Sequence, residues 1–148
     1  MGGKSVFPYV IYVKTKDDRS GARRARVMIA DDSAAIRSSL SSLISRIPGV
    51  EIVGLAPNGT AALNMIRTLK PDAVTLDIRM PEMNGLNVLE ALKGEDLPRL
   101  IIVLTGLQEP EYRRRSLELG AKHFFHKATE FEHVIDILAK FARELNAE

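Results

Sequence analysis

The sequence predicts an α/β protein built on a doubly wound parallel sheet, and three observations carry that reading. Five short apolar runs alternate with stretches whose apolar residues recur at helical spacing. The runs are continuously apolar instead of alternating, which is the pattern of strands covered on both faces. Each of the first, third, fourth and fifth runs also ends on a polar residue capable of chemistry: Asp31-Asp32, Asp77, Thr105 and Lys127.

Taken in order, Val27-Met28-Ile29-Ala30 forms the first strand, and Ile36, Leu40, Leu43, Ile44 and Ile47 mark a helix capped by Asp32 or Ser33. Pro48-Gly49 stops that helix, Val50 to Leu55 make the second strand, and Asn58-Gly59-Thr60 opens a helix with Leu63, Ile66 and Leu69 on one face. After Pro71, the third strand is Ala73-Val74-Thr75-Leu76, ending in Asp77. Pro81 fixes its own φ and Gly85 is free to take unusual backbone angles, so the segment after the acid is a shaped loop. The next helix carries Leu86, Leu89 and Leu92, and Leu100 to Leu104 is the most apolar strand, ending in Thr105-Gly106. A weaker helix from about Glu109 to Leu119 leads to a fifth strand, His123 to His126. The last helix has Thr129 and Glu132 at capping-box spacing and a stripe of Val134, Ile135, Leu138, Phe141 and Leu145.

Length and composition bound the function. With 148 residues the chain makes one domain with a real core. No run approaches the ~18 apolar residues of a membrane span, and the N-terminus lacks a secretory signal, so a cytoplasmic protein without membrane contact is expected. Zero cysteines exclude disulfides and thiolate metal sites. Residues 1–25 hold six Lys/Arg against Asp17 and Asp18, so the basic balance belongs to the N-terminal part and the remainder is net acidic. Direct nucleic-acid binding is therefore not expected, and Arg113-Arg114-Arg115 reads as a solvated helix face. Residues 1–25 are taken as a basic extension or linker and 26–146 as the domain. Val6 to Val13 is β-prone but interrupted by Pro8, which confines it to an edge strand or a non-strand. Gly2-Gly3-Lys4-Ser5 lacks the first glycine and preceding strand of a phosphate loop.

In a doubly wound sheet, ligands bind at the carboxyl ends of the strands where strand order reverses. Asp31, Asp32 and Asp77 gathered there repel one another and, with a loop carbonyl, form an all-oxygen site suited to Mg²⁺. A divalent ion offsets the acids and neutralises a phosphoryl oxygen, while the Thr105 hydroxyl and Lys127 ammonium supply further donors. Such a constellation places a phosphoryl group on Asp77. His123, His126 and His133 do not make a metal set and receive no role; the two strand histidines, three apart, face opposite sides.

These residues resemble the receiver domain, chemotaxis-response-regulator-like, of two-component response regulators. The likeness covers residues 26 to about 146 and rests on Asp31-Asp32, the Asp-x-x-x-Pro-x-x-x-Gly of Asp77, Pro81 and Gly85, then Thr105-Gly106 and Lys127. It implies a flavodoxin-like sheet of order 2-1-3-4-5, Asp77 as phospho-acceptor, and Mg²⁺ held by Asp31, Asp32, Asp77 and the backbone carbonyl of Arg79. It also implies Thr105 as switch hydroxyl, Phe124 as switch aromatic and Lys127 as the site lysine. Of the acid pair, Asp32 is expected to be the more direct metal ligand, since Asp31 ends the strand and Asp32 turns into the loop.

The resemblance further implies phosphoryl transfer from a histidine kinase, a phosphotransfer protein or a small phosphodonor, with an output face on the fourth helix, fifth strand and fifth helix. Such a domain is not an enzyme in its own right, although it promotes its own phosphotransfer and dephosphorylation. The sequence ends just after the last helix, so the expectation is signalling by protein contact or a fragment of a larger transcriptional or enzymatic regulator. A receiver-like module that is never phosphorylated is the remaining alternative. An FMN binder on the same sheet needs a phosphate loop where this chain has Asp31-Asp32, and a dehalogenase-type phosphatase needs Asp-x-Asp on the first strand. The sequence departs from the family at Ala128, where a proline usually follows the lysine. Without proline a cis bond costs about 2–3 kcal/mol more, so the Lys127–Ala128 peptide is expected to be trans, with Lys127 still reaching the acids on its long stem.

Overall fold

A computed structural model of the protein describes residues 23–147; the readings of residues 1–22, including the β-prone Val6 to Val13, lie outside the described residues. Five strands, β1 (Ala25–Ala30), β2 (Val50–Ala56), β3 (Ala73–Leu76), β4 (Leu100–Thr105) and β5 (His123–His126), alternate with five helices. The helices are α1 (Ala34–Ile44), α2 (Gly59–Leu69), α3 (Gly85–Ala91), α4 (Pro110–Glu118) and α5 (Phe131–Asn146). All pairings are parallel, in the order β2-β1-β3-β4-β5. The expected fold is the one observed.

Alternation along each strand sorts the core into two layers. Met28, Ala30, Val74, Leu76, Ile101 and Val103 face a layer with Ala62 and Ile66 of α2 and Val88 and Leu89 of α3. Val27, Ile29, Ala73, Leu100, Ile102 and Leu104 face Leu40 and Ile44 of α1 and Val134, Leu138 and Ala142 of α5. This double cover is why the strands read as unbroken apolar runs. The β1–β2 register shifts between Val27 and Met28, where β2 advances from Ile52 to Gly54.

Helix starts follow local chemistry. Ser33 caps α1 by accepting from the Ile36 N–H at 3.2 Å, and Asn58 caps α2 through the Ala61 N–H at 2.8 Å. Asn84 and Asn87 close a reciprocal capping box on α3 at 2.8 and 3.1 Å. The Thr129–Glu132 box expected on α5 does not form. The helix is preceded by Glu130, which makes no side-chain cap, because the turn after β5 closes first: the Thr129 and Glu130 N–H groups both donate to the His126 carbonyl, at 3.3 and 2.8 Å. Glu130 Oε1 in turn accepts the His126 N–H at 3.1 Å. β1 begins at Ala25, whose N–H donates to Gly49 O at 2.7 Å, and Arg23 reaches Asp72 at 2.6 Å. Among the described residues no helix is long and apolar enough to cross a membrane.

Candidate functional site

Because β1 and β3 are neighbours, their ends deliver Asp31 and Asp77 side by side. Asp77 is held by its own N–H donating to Ala30 O at 2.9 Å, and Asp31 Oδ1 accepts the Ser33 N–H at 2.9 Å. Both acids are nearly closed to solvent, at 2% and 3% exposure for Asp31 and Asp77, whereas Asp32 is exposed. The three offer carboxylate oxygens that lie within 4.8 Å of one another.

Lys127, at the end of β5, spans this cluster. Its Nζ lies 2.6 Å from Asp31 Oδ2 and 2.8 Å from Asp77 Oδ2. Burial lowers the lysine's proton affinity, but its hydrogen bonds to Asp31 and Asp77 more than offset this, so its pKa is raised. Asp31 is raised as well, first by burial and further by the charge of Asp77, against the Lys127 and Ser33 bonds. The two directions agree: one ammonium shared by two carboxylates leaves an excess of negative charge beside Asp32.

The loop after β3 is shaped, but not by unusual angles at Gly85: the residue with positive φ is Glu82, at 68°, and Gly85 is required by close approach instead. The Gly85 N–H donates to Ile78 O at 2.7 Å, and a Cβ on Gly85 would collide with the Asp77 carbonyl. Gly59, at the start of α2, meets the backbone of Met83 as closely, so α2 braces the same loop. A cavity of about 240 Å³ opens beside the acids, lined by Asp32, Asp77, Arg79, Gly106, Leu107 and Lys127. Inside the site, Asp77 Oδ1 is buried with no hydrogen-bond partner among the described residues. An orphaned carboxylate oxygen in an acid-rich, all-oxygen pocket suits a hard divalent cation. A larger cavity of about 510 Å³ lies at the amino ends of β3 and β4, and its acids Asp72, Glu95 and Asp96 make no comparable close set among the described residues.

Thr105 is fully buried at the end of β4; its hydroxyl accepts the Leu107 N–H at 3.4 Å and its carbonyl accepts the Lys127 N–H at 2.9 Å. Phe124 is buried against the α2–α3 layer. Arg79 is exposed at the cavity rim. The Lys127–Ala128 peptide is trans, as no cis bond occurs among the described residues.

A family model described as response regulator receiver domain matches residues 27–139. The chain belongs to this receiver family. Among curated proteins, the receiver is similar to a protein-glutamate methylesterase/protein-glutamine glutaminase of Desulfotalea psychrophila, at 42% identity over 73% of this chain and 30% of that protein. It is likewise similar to the protein of the same name from Nitrosomonas europaea, at 43% identity over 71% of this chain and 30% of that one. The chain thus spans about a third of the length of the curated relatives it matches. Among solved structures, the response regulator domain of Thermotoga maritima CheB aligns with a TM-score of 0.72 and 31% identity, over 85% of this chain and 98% of that one. The signal receiver domain of the putative response regulator NarL from Mycobacterium tuberculosis aligns at 0.73 and 30%, over 82% and 98%.

The structure adds a contact to one surface reading of this receiver. Arg114 and Arg115 pair with Glu118 on the solvated face as expected, and Arg113, exposed as expected, also reaches β5: its Nη1 donates to Phe124 O at 3.1 Å, and its guanidinium lies 5.8 Å from the Phe124 ring centre. Three consecutive arginines gave no sign of which one would reach β5. His126, passed over in the sequence, holds the turn that carries Lys127.

Proposed function

We propose that this receiver accepts a phosphoryl group on Asp77 in a Mg²⁺-dependent transfer from a histidine kinase, a phosphotransfer protein or a small phosphodonor. The observation that carries the reading is the Asp77 carboxylate itself, one oxygen fixed by Lys127 and the other without a hydrogen-bond donor among the described residues, at the wall of an open cavity. A carboxylate oxygen forms the new O–P bond as the donor's P–N or P–O bond breaks, and the electron pair leaves with the imidazole or acyl oxygen. Asp31, Asp32, Asp77 and the Arg79 carbonyl would hold Mg²⁺, which when bound supplies charge neutralisation for the phosphoryl oxygens. Lys127 orients the acceptor and is placed to donate to a phosphoryl oxygen. The Thr105 hydroxyl would follow the added charge, Phe124 would respond to that movement, and the α4–β5–α5 face would carry the output to a downstream protein.

The reading places the chain in the cytoplasm, where such kinases act, and makes residues 1–24 an accessory segment outside the chemistry, since Ala25 already belongs to β1. Incubation with acetyl phosphate and Mg²⁺, followed by chemical trapping of the acyl phosphate, is expected to label Asp77. Undiminished label in Asp77→Asn would overturn the assignment.

A second reading concerns the whole protein. Relatives above 40% identical carry the name of a protein-glutamate methylesterase/protein-glutamine glutaminase, and this chain matches only 30% of their length. That supports a receiver which regulates such an enzyme, from the same polypeptide or as a separate partner. Capture of a methylesterase by the phosphorylated form over the Asp77→Asn variant tests it.

A further inference from the structure

We propose that His126 is a positioning residue for Lys127, acting through the Ala128 N–H. The proposal rests on the reading of Lys127 as the lysine of the phosphorylation site and adds the device that aims it.

The chain reverses immediately after β5, and the reversal closes on one residue. The N–H groups of Ala128, Thr129 and Glu130 all donate to His126: the first to the ring Nδ1 at 3.3 Å, the other two to its carbonyl at 3.3 and 2.8 Å. His126 returns its own N–H to Glu130 Oε1 at 3.1 Å. Lys127 is thus flanked by a clamped neighbour on each side, while its own N–H is fixed on Thr105 O at 2.9 Å. With the backbone set at both flanks, the four-carbon stem has one consistent origin from which Nζ meets Asp31 and Asp77 at 2.6 and 2.8 Å. A proline at 128 would have no N–H to place and would restrict the backbone by its ring. Alanine does neither, so the restraint falls to the bond accepted by the imidazole. Acceptance at Nδ1 puts the ring proton on Nε2, which is buried with no hydrogen-bond partner among the described residues. The half-buried ring shares neither the 240 Å³ cavity nor the acid cluster, so it acts only through the turn.

The test uses the full chain and two readouts: the rate of Asp77 acyl-phosphate formation from acetyl phosphate with Mg²⁺, and the Lys127 ammonium resonance in ¹⁵N-lysine-labelled protein, assigned with Lys127→Arg. His126→Leu is expected to slow the rate about three- to tenfold, the weight of one hydrogen bond, and to broaden the Lys127 resonance. His126→Asn puts an acceptor oxygen the same number of bonds from the backbone as Nδ1 and is expected to stay within about twofold of the parent. In an Ala128→Pro background, where no N–H remains to be accepted, adding His126→Leu is expected to change neither readout. A wild-type rate with an undisturbed resonance in His126→Leu overturns the proposal. So does equal slowing by His126→Leu in both backgrounds, which would route the effect elsewhere. If the parent forms no acyl phosphate, the Asp77 reading fails on its own account, and the resonance alone decides for or against His126.

Discussion

Lys127 Nζ stands 2.6 Å from Asp31 Oδ2, a contact made across the sheet from β5 to β1, and the same ammonium lies 2.8 Å from Asp77. Removing it leaves two nearly buried carboxylates uncompensated, which for a fully buried pair costs roughly 3–5 kcal/mol. The Lys127 side chain is 22% exposed, so Lys127→Met is expected to lose a smaller amount, about 1–3 kcal/mol, in metal-free buffer. The pH dependence follows from the raised lysine. Its contribution is fully present below the ordinary value of 10.5 and is lost as pH rises through the higher folded value. Denaturation of wild type and variant should therefore differ by a constant amount from neutral pH to about 10 and converge above that. A difference that vanished near neutrality would contradict the ion pair.

Charge crowding sets the next expectation. Asp31 sits in surroundings that disfavour its anion, by burial and by Asp77. Asp31→Asn relieves that repulsion and is expected to melt higher than wild type without metal. Adding Mg²⁺ should then reverse the order. A cation that binds the folded state stabilises wild type by about 2.7 kcal/mol at a hundredfold excess over Kd, and the variant gains less. Asp32→Ala, which leaves the Lys127 contacts intact, should weaken Mg²⁺ binding at little cost in metal-free stability. Melting curves of the three proteins with EDTA and with Mg²⁺ read all of this, and a wild type indifferent to Mg²⁺ would remove the metal site.

Arg113 reaches from α4 to the Phe124 carbonyl and ring. Loss of that contact in Arg113→Ala should loosen Phe124 in its buried position, at a stability cost of about 0.5–1.5 kcal/mol. Fluorine NMR on fluorophenylalanine-labelled protein, with Phe124 assigned through Phe124→Leu, would show a shifted or broadened Phe124 signal. Arg113→Lys keeps the charge but not the planar fork and should fall between the two. An unchanged signal in Arg113→Ala would show that the clamp does not hold the ring.

The sheet was legible because its physics is local and repeated: Leu100 to Leu104 had to be covered on both sides, and Asp77 after Leu76 had to meet the edge of the sheet. Asp31, Asp77 and Lys127 could be grouped because parallel strands bring their carboxyl ends together, whatever lies between them. The start of α5 was misread because Thr129 and Glu132 satisfy a capping pattern on paper, while the backbone bonds from Thr129 and Glu130 to His126 close the turn first. Arg113 and His126 escaped for a related reason. Both act by bonding backbone groups, the Phe124 carbonyl and the Ala128 N–H, and side-chain spacing carries no trace of where those groups point.

Gly85 gives the most local test of how the acceptor is placed. It begins α3, donates its N–H to Ile78 O at 2.7 Å, and lies so near the preceding loop that a Cβ would overlap the carbonyl of Asp77 itself. Its backbone angles are not in the left-handed region among the positive-φ glycines, so alanine is refused by space and not by conformation. Relief requires moving either the Asp77 backbone, whose N–H is tied to Ala30 O at 2.9 Å, or the start of α3 with its Asn84–Asn87 capping box. Overpacking of this kind costs about 1–3 kcal/mol, and a displacement near 1 Å at an acceptor is worth roughly a hundredfold in rate. Gly85→Ala is therefore expected to fold with a lowered melting temperature and to lose far more phosphorylation than stability. Gly94→Ala, where nothing lies within 4 Å of the added methyl, serves as the control: its φ of 86° makes it strained, so it should lose stability while its phosphorylation rate is kept. Equal phosphorylation rates in the two variants would show that the close approach of Gly85 to Asp77 does not position the carboxylate.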